Sequence, residues 1–273
     1  MPDALQTELT RKPTPEPVED TARWPEWAEE ARLDDELTAK AYEATPPSCR
    51  AALKTGLALA HMHFGQSLGC LREERRDGHL GFWRHRASFP APWAVLAFTP
   101  EYAAAARLTA ACVPALLANV PLVGAVCVGG MPHGAALVSL ELSGVEDIFR
   151  LDDAGLCALL EESQPGPGRL VLLHKGELDS VAHTARVLGL PCYEERRAPA
   201  LILPEPEAFD LDILCLHKDL LPEAARGHCR AHRHGPFRYT GSLALSPGCE
   251  GFWLHEGLTP DFFTVSRQAF GPL

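Results

Sequence analysis

Between positions 93 and 203 the chain alternates short apolar runs with longer amphipathic ones, and this order constrains the fold more than anything else in it. Residues 93–98, 122–128, 147–151, 169–173 and 198–203 read as strands of five to seven residues. Residues 101–117, 134–142, 153–162 and 177–188 between them read as helices. A strand that is apolar almost throughout is covered on both faces, as strands of parallel sheets are. A helix after each strand lets the next one run parallel to it. With right-handed crossovers the result is an α/β fold, a doubly wound, mainly parallel Rossmann-like sheet.

The flanks read differently. Lys12-Pro13-Thr14-Pro15-Glu16-Pro17-Val18-Glu19-Asp20 has little with which to bury itself, so residues 1–46 are expected to form a Pro/acidic arm with a docking helix. Trp24 and Trp27, three apart, are the residues that would pin it to an α/β domain spanning 47–273. Within that domain, residues 50–71 have apolar residues at helical spacing (Leu53, Leu57, Met62, Leu68) and predict one or two helices. After Pro222 the pattern weakens. Residues 223–240 are polar and basic, 241–246 predict an edge strand, and 258–269 predict a closing helix capped by Thr259-Pro260-Asp261.

Charge and cysteine usage narrow the function classes. With 25 Lys+Arg against 36 Asp+Glu the net charge is −11. That argues against nucleic acid or anionic lipid as a partner of the whole surface, although a local basic patch survives the argument. Nine cysteines are scattered singly with no CxxC, as expected of reduced, buried thiols in a cytoplasmic protein. The N-terminus carries early acidic residues and no apolar run, so no secretory signal is expected. The longest apolar stretch, 108–128, is broken by Pro114, Asn119 and Pro121, which suits helix–turn–strand rather than a membrane span.

Several groups are candidates for chemistry. His228 and His232 lie at i, i+4 and His234 follows; together, or with Cys215, they could chelate zinc. Arg226, Arg230 and Arg233 interleave them, and the plainer reading is a basic loop. His61 and His63, two apart, point to different helix faces. Arg72, Arg75, Arg76, Arg84 and Arg86, with His79 and His85, form a mixed, mostly basic surface that would hold an anionic ligand or partner if it is not simply solvated. Gly129-Gly130-Met131-Pro132-His133-Gly134 turns from strand to helix where doubly wound sheets bind ligands, without a GxGxxG or P-loop pattern. Asp152-Asp153 suits an acidic helix cap.

Two stretches resemble a known family. Cys112-Val-Pro-Ala-Leu-Leu-Ala-Asn-Val120, running into Gly124-Ala-Val-Cys-Val128, resembles a Pro-Ala-x-x-Ala-Gly-Val helix and its following strand in histidinol dehydrogenases, relatives of the aldehyde dehydrogenase fold. Leu140-Glu-Leu-Ser-Gly-Val-Glu-Asp-Ile-Phe-Arg150 resembles that family's Leu-Ala-Gly-Val-Asp-x-Ile-x-x-Val segment, and weaker similarity extends over roughly residues 93–265. The resemblance implies a histidinol/aldehyde dehydrogenase-like fold. It also implies NAD and zinc as cofactors if histidinol oxidation survives, with Thr99, Asp152 and Gly155 at the cofactor edge; the Gly129-Gly130 turn and the His228, His232 and His234 cluster are cofactor and metal candidates on their own chemistry, apart from the resemblance.

The family's functional motifs are altered. Asp152 and Asp153 stand where it has two glycines, and Gly155 where it has glutamine. Its zinc-binding Gln and His fall at Leu216 and Asp219, and Glu-His-Leu is absent from the sequence. The expectation is therefore a shortened relative that has lost zinc- and NAD-dependent oxidation and binds a small ligand or regulates. An active oxidoreductase with a rebuilt site and a protein-interaction or assembly module remain as alternatives, the last compatible with a homo-oligomer or a protein partner.

Overall fold

The computed structural model describes residues 22–65, 71–163, 166, 168–196, 201–202, 208–210, 213 and 243–273. The described part begins with a 3₁₀ turn at Glu26–Ala31, helix α1 (Asp35–Ala44) and helix α2 (Pro47–Phe64). Asp34 caps α1, its carboxylate accepting the Glu36 N–H at 2.9 Å, and Pro47 opens α2 with its fixed φ. A hairpin follows, β1 (Leu71–Asp77) and β2 (Phe82–Pro90).

The expected alternation then sets in: β3 (Ala94–Phe98), α3 (Ala105–Leu117), β4 (Val123–Val128), α4 (Gly134–Ser143), β5 (Asp147–Leu151), α5 (Asp153–Glu162), β6 (Arg169–Leu173), α6 (Asp179–Val187) and β7 (Cys192–Glu195). These five strands form one sheet in the order β5-β4-β3-β6-β7, every pair parallel. From β3 the chain steps outward to β4 and β5, then returns past β3 to β6 and β7. That reversal makes the carboxyl ends of β3 and β6 the topological switch point.

Side-chain alternation along the strands divides the core into two layers. Leu96 and Phe98, with Cys127, Ile148 and Leu173, pack against α3 and α4, and Leu33 together with Leu37 and Ala41 of α1 closes over this layer. Val95 and Ala97, with Val126, Phe149 and Leu172, face α5, α6 and the 3₁₀ turn. Helix α3 is buried over its whole length from Ala105 to Ala115, which explains its run of alanines: only small side chains fit on every side of a central helix.

Trp24 and Trp27 fasten the N-terminal segment to the second layer. The Trp24 indole N–H donates to Asp147 at 2.8 Å and its ring meets Phe149 edge-on; Trp27 donates to Glu162 at 2.8 Å. Gly124 lies under Trp24, where a Cβ would come within 2.7 Å of the ring.

Two expectations need correction. The segment 258–269 is no helix: a single 3₁₀ turn at Pro260–Phe263 leads into strand β10 (Thr264–Pro272), which pairs antiparallel with β2. The Thr-Pro-Asp signal opens one turn only, and pairing with β2 takes the following residues. The expected last strand of the parallel sheet, 198–203, is not part of it: Cys192–Glu195 (β7) takes that place beside β6, and Leu201–Ile202 pair elsewhere, because the helix α6 returns the chain to the sheet already at Cys192. The basic stretch around Arg72–Arg86 is a hairpin, completing a three-stranded sheet in the order β1-β2-β10. Arg169, at the start of β6, joins the two sheets, its guanidinium donating to the carbonyls of Phe262 and Thr264. Strands β8 (Leu201–Ile202) and β9 (Leu243–Ala244) form a small parallel pair apart from both. No helix among the described residues is long and apolar enough to cross a membrane.

Candidate functional site

The topology gathers the candidate cofactor residues at one edge of the parallel sheet. Thr99 follows β3 and is buried, Gly129 and Gly130 follow β4, and Asp152 and Gly155 bracket the start of α5 after β5. His228, His232 and His234, with Cys215, lie outside the described residues.

Local chemistry explains each turn. Gly129 has φ +87, a left-handed conformation that glycine adopts without strain, and its N–H donates to the Leu151 carbonyl at 2.8 Å. Gly130 is tight against Pro100, where a Cβ would sit 2.7 Å from the proline ring. Its smallness thus serves packing between the turns after β3 and β4.

A helix start leaves backbone N–H groups unpaired and favours anions. At this edge the protein supplies its own acceptors. His133 Nδ1 accepts the Ala135 N–H at the start of α4. Asp152 accepts the Gly155 N–H at 2.7 Å at the start of α5, and the neighbouring Asp153 accepts the Ser180 hydroxyl. Ahead of α6, His174 Nδ1 accepts from the Gly176 and Leu178 N–H groups at 3.0 and 3.1 Å. The carboxylate of Glu177 accepts the Lys175 N–H, and that bond holds its pKa below the usual carboxylate range.

His174, Asp179 and Glu194 place one ligand atom each within 4.8 Å of one another, the spacing a metal would need. Their chemistry does not suit one. With Nδ1 accepting two backbone hydrogens, the neutral ring must carry its proton on Nε2, which donates to Glu194 at 3.0 Å. No lone pair on that ring is left for a cation. Arg196 already supplies positive charge, 2.9 Å from Asp179 and 2.8 Å from Glu194.

A second polar group is buried beneath the loop after β3. Arg107 in the first turn of α3 pairs with Glu195 at the end of β7, and its guanidinium lies 5.2 Å from the Tyr102 ring and 5.6 Å from Trp253. His255 Nδ1 lies 2.7 Å from the other Glu195 oxygen, and its Nε2 2.7 Å from the Arg107 carbonyl. Two acceptors facing two ring nitrogens would favour imidazolium. Burial opposes this and prevails, aided by the Arg107 charge, so the His255 pKa falls to about 4. This trio ties the C-terminal segment to α3 and β7.

Sequence reading missed Arg107, His174, Glu195 and His255. One signal was present, since His174 is the first polar residue after the buried strand β6. The others lie 60 to 148 positions from their partners, beyond any motif spacing. Burial also pushes the thiols of Cys112, Cys127 and Cys192 up to about 12, as expected of inert, reduced cysteines.

A doubly wound parallel sheet with its switch point between the first and fourth strands is a Rossmann-type α/β fold. Among solved structures, histidinol dehydrogenase from Elizabethkingia anophelis is similar to this chain with a TM-score of 0.52 and 13% identity, over 68% of this chain and 45% of that one. Methylmalonate-semialdehyde dehydrogenase from Oceanimonas doudoroffii (TM-score 0.35, 15% identity, 62% of this chain and 44% of that one) and succinate-semialdehyde dehydrogenase from Burkholderia pseudomallei (0.35, 14%, 64% and 44%) are also similar. At these identities the likeness is one of fold, and this chain spans less than half the length of each. No known family profile matches the sequence, nor does any curated protein.

Proposed function

We propose that this chain is a ligand-binding or regulatory protein on a dehydrogenase-like fold, and that it does not oxidise histidinol with NAD and zinc. The observation that carries this reading is the start of α5. There the Asp152 carboxylate takes the Gly155 N–H and Asp153 sits beside it, where the resemblance requires small residues. A pyrophosphate docking there meets two carboxylates and an N–H already bonded. Like charges about 4 Å apart repel by about 1 kcal/mol each even in bulk water, and by more near protein. These residues do not fit the phosphates of a dinucleotide at that position.

The test is a thermal-shift and calorimetric titration of the full chain with NAD and NADP to millimolar concentration. No saturable shift is expected. Saturable binding that mutation of Gly129 and Gly130 abolishes would sink the reading and favour an oxidoreductase with a rebuilt site. Asp152→Gly/Asp153→Gly is the companion variant. If the carboxylates are what exclude the dinucleotide, weak NAD binding should emerge in it.

A further inference from the structure

We propose that one face of the β1–β2–β10 sheet docks an acidic segment of a partner protein. This holds whatever the carboxyl edge of the parallel sheet binds, because no residue is shared. Residues directly opposite one another in an antiparallel sheet point to the same side. The register therefore aligns Arg75, Arg84 and Phe270 in one row, with Arg86 and Phe82 in the rows on either side of the same face. Phe82 and Phe270 bring their rings to 6.1 Å while remaining 43% and 55% exposed, so no described residue covers them. Arg84 is held by Glu73 at 3.2 Å; Arg75 and Arg86 are exposed and have no carboxylate partner among the described residues.

Charge selects the kind of partner. On this face Arg75, Arg84 and Arg86 stand with Glu73 and Asp77, a surplus of one positive charge on a chain whose net charge is −11, and the sheet as a whole (71–90 and 264–273) holds six arginines, no lysine and three acidic side chains. An acidic partner is drawn to this sheet and repelled by the rest of the surface. Arginine's planar fork matches a carboxylate in two-point contact, which lysine cannot do. Along β1, Glu73, Arg75 and Asp77 alternate on this face, so a continuous polyphosphate would meet a carboxylate at every second position. A protein segment can instead set carboxylates against Arg75 and Arg86 and an apolar side chain against the two phenylalanines. An exposed aromatic pair beside arginines has the composition of an interface centre.

The experiment titrates the full-length protein with a fluorescent peptide of about twelve residues alternating Glu and Leu. Saturable binding is expected, weakening as salt rises from roughly 50 to 300 mM. Arg75→Glu/Arg86→Glu should weaken it about tenfold or more, and Phe82→Ser/Phe270→Ser comparably, with circular dichroism unchanged. Arg75→Gln/Arg86→Gln keeps the question open to test should the charge reversal disturb the sheet. The proposal is overturned by an absence of binding at about 1 mM peptide, or by binding that none of these variants weakens. Tighter binding of a single-stranded RNA oligonucleotide to the same face would overturn it too. So would a dimer in light scattering that Phe82→Ser/Phe270→Ser dissolves, since a second copy would then occupy the face.

Discussion

The two sheets solve the same problem in opposite ways. In the parallel sheet, β3 and β6 are buried at every position and helices cover both faces. In the antiparallel sheet, β1 is exposed from Arg72 to Arg76, β10 from Ser266 to Phe270, and even the central strand β2 buries only Ala87. Burial of apolar area holds the first together. The second relies on its backbone ladder, on cross-strand contacts such as Trp83 covering Gly271, and on Arg169 holding the approach to β10. Stability should therefore be concentrated in one sheet, leaving the other free to present a surface.

Substitutions of one kind in the two sheets test this difference most directly. Phe98→Ala, at a fully buried position of β3, should cost about 3–5 kcal/mol in urea unfolding, whereas Phe82→Ala in β2 should cost less than about 1 kcal/mol. Equal costs would mean that the antiparallel sheet carries a packed core of its own.

A smaller effect is expected in acid. The His255 pKa is about 4 in the folded protein against 6.5 ordinarily, so between these values the unfolded chain binds more protons. The stability tied to this ring is whole above about pH 6.5 and is lost as pH falls toward 4, by on the order of 3 kcal/mol. His255→Gln should flatten that part of the stability–pH curve, and an unchanged curve would count against a neutral, buried ring.

Gly124→Ala should have the mildest effect within the core, about 1–3 kcal/mol. It places a methyl group against Trp24, so hydrogen exchange should quicken in residues 22–33 while β3 and β6 stay protected. Faster exchange throughout the parallel sheet would show that the N-terminal segment is integral to the core rather than docked on it.

The same contrast explains what was legible in the sequence. The bounds of β5, α5 and β6 coincide with their expected ranges, because an apolar run flanked by a capping aspartate or a glycine admits little else. The hairpin was illegible because Arg72–Asp77 carries charge on both faces, which no burial period can reveal. β7 escaped notice because it is a four-residue edge strand ending in two glutamates, one meeting His174 and Arg196 and the other Arg107 and His255. The edge where the candidate residues gather followed from strand order. The buried Arg107–Glu195–His255 trio did not, since its members meet only once α3, β7 and the C-terminal segment are packed.

The register of β10 against β2 also bears on how the molecule is made. Pro90 pairs with Thr264, 174 positions later, so β2 is translated long before its second neighbour exists. At about 5–20 residues per second that interval is roughly 10–35 s. Throughout it, the emerging hairpin would present the open side of β2 and an uncovered Trp83 to solvent or to chaperones. Charged side chains along an unpaired edge oppose edge-to-edge aggregation, and the arginines of β1 and β2 are placed for that while β2 waits for its second neighbour.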